Sequence, residues 1–149
     1  MKKNIKNMGE ATLHTDVNWQ NMYHVAEEWK SDLIFYKDEL HFFHDMLSKY
    51  FIQLIEDLEM TKSLNNELDE LESGRAELYR KVEVHMSSLS EHFSGPFEML
   101  DPIYIDEHHQ LKVDFLAFNT QFRKTKKALY KHMESILKSE KSKHLINKL

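Results

Sequence analysis

Cysteine is absent from the 149 residues, glycine occurs three times and proline twice. Without cysteine the chain has no disulfide framework, no thiolate nucleophile and no sulfur-ligated zinc, so any metal would have to be held by imidazole and carboxylate. That absence suits a reducing compartment, and a cytoplasmic protein is expected. So little glycine and proline leaves few turns, which disfavours sandwiches, barrels and α/β folds that reverse every dozen or so residues. No run of about 18 apolar residues occurs, and the basic start MKKNIKNMGEATLHTD lacks the apolar stretch of a secretory signal. Neither a membrane span nor an export signal is expected. Also missing are a glycine-rich phosphate loop, a Gly-x-Ser-x-Gly elbow and a His-Glu-x-x-His pair, so no catalytic residue is assigned and the chain reads as non-enzymatic.

What the sequence does contain is a stripe. From Met22 the apolar positions recur in steps of four and three through Ala26, Trp29, Leu33, Tyr36, Leu40, Phe43, Leu47, Tyr50 and Leu54, which is the seam of a long helix. The spacing returns from Leu64 to His92, through Leu68, Leu71, Arg75, Leu78, Val82, His85 and Leu89. It returns again from His108 to Ile136, through Leu111, Phe115, Phe118, Phe122, Thr125, Leu129 and His132. Three helices are predicted, over about 17–60, 65–92 and 102–142, after a flexible tail at 1–15; residues 16–149 then form a single helical domain. Ser94-Gly95-Pro96 stops the second helix, and Asp101-Pro102 supplies a capping carboxylate and a first-turn proline for the third. The first boundary has a weaker signal, because the stripe runs on in register past residue 60. A turn is placed at MTKSLNN, residues 60–66, where Thr, Ser and paired Asn favour caps over helix interiors.

Charge patterning points to the same architecture. Residues 123–149 hold nine Lys or Arg against two acids, and residues 56–77 hold eight acids against two bases. An elongated antiparallel three-helix bundle with coiled-coil-like packing would lay these segments side by side. The basic run is thereby given a partner, and with a net charge of −5 no nucleic acid is expected to bind.

Two functional expectations follow. Phe35, Phe42 and Met46 widen the apolar arc of the first helix beyond what one seam requires, which points to an interface. The leading reading is an interaction protein that self-associates through this helix or docks another helical protein. The second rests on the ten histidines. His85, His92, His108 and His132 occupy seam positions, and a bundle would crowd His44, His85, His92, His108 and His109 into one half, with Asp38, Glu39, Asp106 and Asp114 nearby. Such a cluster could hold a divalent metal such as zinc or iron, although the paired Glu-x-x-His motifs of carboxylate-bridged bundles are missing. Asp38, His41 and Asp45 share a polar face of the first helix and read as a solvated surface. Buried imidazoles would also lower the melting temperature near about pH 5.5 relative to about pH 7.5.

Overall fold

The computed structural model describes the backbone of residues 2–49, 58–94 and 101–147, and the side chains of 19–49, 58–92 and 101–140. The fold is all-α: helices α1 (Lys2–Lys49), α2 (Leu58–Ser94) and α3 (Pro102–Asn147) pack against one another. Among the described residues only Asp101 lies outside a helix. It is the cap of α3, its Oδ1 accepting from the Ile103 amide at 3.0 Å while Pro102 occupies the first helical position. No helix among the described residues is long and apolar enough to cross a membrane.

The first helix starts earlier than expected, since residues 2–15, read from sequence as a tail, are helical. A larger difference concerns the expected turn at 60–66, which lies within the unbroken helix α2. Helix α1 runs to Lys49 and α2 begins at Leu58. Packing explains why MTKSLNN is helical despite its composition. Thr61 and Leu64 are buried at seam spacing with Leu68 and Leu71, and the Thr61 hydroxyl is bonded to His132 Nε2 at 3.1 Å. Burying each leucine is worth about 1.5–3 kcal/mol, more than the few tenths by which Ser, Thr and Asn disfavour helix. Tyr50 and Leu54, expected in the seam, fall outside the described residues.

The helices divide into two compact units. Unit 1 comprises residues 1–34 and 77–115, and unit 2 comprises residues 35–76 and 116–149. In unit 1, Met22, Ala26, Trp29 and Leu33 of α1 are buried, as are Leu78, Val82, His85 and Leu89 of α2 and Leu111 and Phe115 of α3. Trp19 Nε1 donates to the Leu89 carbonyl at 3.0 Å, and Lys30 lies 3.8 Å from Glu83, so α1 and α2 run antiparallel here. In unit 2 the core is Leu40, Phe43 and Leu47 with Leu64, Leu68 and Leu71 and with Phe118, Phe122, Leu129 and Met133. Tyr36 donates to Asn119 at 2.6 Å and Lys126 to Glu39 at 2.9 Å, which makes α1 and α3 parallel.

Among the described residues, the acidic segment of α2 and the basic segment of α3 each make a charged contact with α1. Lys126 of the basic segment pairs with Glu39 of α1, and Asp69 of the acidic segment lies 3.3 Å from His44, also on α1. Arg75, a seam residue only 7% exposed, makes two bonds to Glu72 of its own helix at 2.7 and 2.8 Å. These bonds hold the Glu72 carboxyl below the usual carboxylate range.

Candidate functional site

Two groupings of chemically capable side chains emerge, one in each unit. The first is built around His85, which the α2 seam carries to a position with no solvent exposure. A buried imidazole needs partners for its nitrogens, and both are found on the first turns of α3. His85 Nδ1 lies 2.8 Å from Glu107 Oε1, and His85 Nε2 lies 3.0 Å from His108 Nδ1. An ionised carboxylate can only accept, so His85 donates from Nδ1 and, in its neutral form, accepts at Nε2 from the Nδ1–H of His108. The His108 ring stacks on Trp29 of α1, centroids 4.7 Å apart, and Trp29 stacks in turn on Phe115 at 5.8 Å.

Burial lowers the pKa of both histidines. For His85 desolvation outweighs the bond and the charge of Glu107, which act upward. His108 is pushed down to about 4, by desolvation first and then by the nearby charges of His85, Lys112 and His109. The pair is therefore neutral near pH 7.

The remaining expected ligands are placed elsewhere. His92 is half-buried against Tyr104, centroids 5.6 Å apart, and its Nε2 is buried without a hydrogen-bond partner. His109 is exposed on the outer side of α3. His44 belongs to unit 2, beside Asp69. Among the described residues no group of three or more histidines and acids comes together as a metal would need. His85 and His108 are instead bonded to each other. Glu107 is the member that sequence reasoning missed, having named Asp106 and Asp114. It lies four residues before Leu111 and so falls on the buried stripe, a signal obscured by starting the seam at His108.

The second grouping is the aromatic face of unit 2. Phe35 and Phe42 are 60% and 59% exposed, while Met46 is half-buried. Seven residues apart, the two phenylalanines share one face of α1. On α3, Tyr130 meets the buried Phe43 ring edge-on at 5.8 Å, and Phe43 lies 6.0 Å from Phe42. Tyr130 is 48% exposed and Leu137, two turns further on, is 53% exposed. Lys126 lies about 6 Å from the ring centroids of Phe43 and Phe122 while paired to Glu39, so the charged pair sits within the aromatic surface. Tyr130 and Leu137 were not foreseen. Neither falls on the seam, and Tyr130 is tied to this region only through Phe43.

The chain has no match among protein-family models, curated proteins or solved structures. The two groupings are therefore interpreted on their chemistry.

Proposed function

We propose that this protein is a non-enzymatic helical interaction protein that docks through the aromatic face of unit 2, with a second copy of the chain as partner. The observation that carries this reading is the exposure of Phe35 and Phe42 on one face of α1. Large aromatic groups left in water and grouped together are the usual anchors of a protein interface.

Charge supports the identity of the partner. At 100° per residue, Asp38 and Asp45 lie on the side of the phenylalanine row away from α3, and both are exposed. On α3 the same spacing puts exposed Arg123 and Lys127 beyond Tyr130 and Leu137. The face thus has Asp38 and Asp45 with Lys49 along one edge, an aromatic centre, and Arg123 and Lys127 with Glu134 along the other. A two-fold axis parallel to the helices would set α1 of one copy over α3 of the other. Phe42 then meets Tyr130, and Asp38 and Asp45 of each copy meet Arg123 and Lys127 of the other.

Sedimentation of the full chain tests the proposal. A dimer is expected at tens of micromolar, with Phe42→Ser raising the dissociation constant at least about tenfold, the effect of losing one anchor worth over 1.4 kcal/mol. A wild-type chain that stays monomeric at that concentration, or a variant that dimerises equally well, would refute it.

A further inference from the structure

We infer that Glu107, His85 and His108 form an acid-operated latch on the α2–α3 seam of unit 1, closed while the imidazole pair carries at most one extra proton and opened by a second. The count of hydrogens makes the argument. In the neutral pair each ring has one N–H: that of His85 is directed to Glu107, and that of His108 to His85 Nε2. A first added proton is accommodated on His108 Nε2, which takes no part in either bond. Alternatively it goes to His85 Nε2, provided the His108 hydrogen moves to Nε2 so that Nδ1 accepts. Both placements keep the 2.8 and 3.0 Å contacts and leave the carboxylate of Glu107 as counter-ion.

A second proton cannot be accommodated this way. It places hydrogens on both facing nitrogens, so two donors and two positive rings oppose each other across 3.0 Å. His85 has no solvent exposure, so water cannot replace the lost acceptor unless α2 and α3 separate locally.

The surroundings favour opening over further protonation in place. On α3, Lys112 and His109 act against positive charge on His108. On α2, Arg80 and Lys81 line an open groove of about 330 Å³ onto which Glu107 faces, with Asp114 across from them. From α1 comes the Trp29 ring, while Lys30 is drawn away to Glu83. Glu107 is the anion bonded to the pair, and its side chain is 40% exposed, which gives protons a route in from the groove.

Trp29, stacked on His108, reports the event directly. In the full chain carrying Trp19→Phe, emission from Trp29 is expected to change between about pH 7.5 and about pH 4.5. His108→Phe keeps a ring against Trp29 and should abolish that change. Glu107→Gln removes the counter-ion of the closed form, so its opening should move toward neutral pH. A change that persists in His108→Phe, or an opening pH that is unmoved or lowered in Glu107→Gln, would overturn the latch. A second measurement needs no variant: nitrogen chemical shifts at neutral pH should show His85 protonated on Nδ1 and bare on Nε2, and His108 protonated on Nδ1. The opposite tautomer of His85 would overturn it equally.

Discussion

In unit 1 the polar seam residue His85 is bonded to a carboxylate and a second imidazole, whereas in unit 2 Thr61 meets His132 through a hydroxyl and Arg75 takes its counter-charge from its own helix. The difference lies in how each arrangement responds to protons. A hydroxyl both donates and accepts, so Thr61 can meet either tautomer of the His132 ring, and a guanidinium does not titrate in the accessible range. Two imidazoles facing each other lack that tolerance. The acid response of a buried polar residue at a seam position thus depends on what its partners can donate and accept.

The largest expected effect would break unit 2. Phe43 is 2% exposed and contacts Phe42, Phe122 and Tyr130, so Phe43→Ala should cost about 3–5 kcal/mol of stability in chemical unfolding. Amide hydrogen exchange would then show whether the loss is confined to residues 35–76 and 116–140. Faster exchange throughout unit 1 as well would mean that the two units unfold together.

Acid should sharpen the contrast by acting on unit 1. Because His85 and His108 have lowered pKa values in the folded chain, the unfolded chain binds more protons as pH falls below about 6.5. Their contribution is complete above that pH and is lost progressively as pH falls toward about 4. Allowing for the partial exposure of His108, the loss is about 1–2 kcal/mol. Unfolding free energies measured across this range should fall for the wild type by that much more than for His108→Phe. Equal slopes would remove the distinction between the units.

The smallest effect is a gain. Gly74 lies inside α2, exposed, with nothing within 4 Å of where a Cβ would stand. Gly74→Ala should therefore raise stability by about 0.5–1 kcal/mol, read as a higher denaturant midpoint. A decrease would show that the helix at this point depends on the freedom of glycine.

Much of the fold is legible in the spacing of residues. Met22 through Leu47 are buried where the three-four stripe places them, apart from half-buried Tyr36, and the Asp101-Pro102 start of α3 is found as read. The turn between α1 and α2 was misplaced because local preference in MTKSLNN is worth tenths of a kcal/mol and the stripe beneath it is worth far more. Of the candidate residues, Phe35 and Phe42 are exposed as a wide apolar arc implies. The histidines followed a different rule. Periodicity puts His85 and His92 on the same inner face, yet one is bonded at both nitrogens and the other is left with a buried, unpartnered Nε2.

Helical periodicity is a property of each segment, so the order of residues is enough to say which side chains turn inward and that three helices must share their apolar faces. Pairing across helices depends on axial register and rotation, where a shift of one residue turns a side chain by about 100°. Only the packed chain could bring Glu107 rather than Asp106 to His85, place Tyr130 edge-on against Phe43, and set two imidazoles nitrogen to nitrogen.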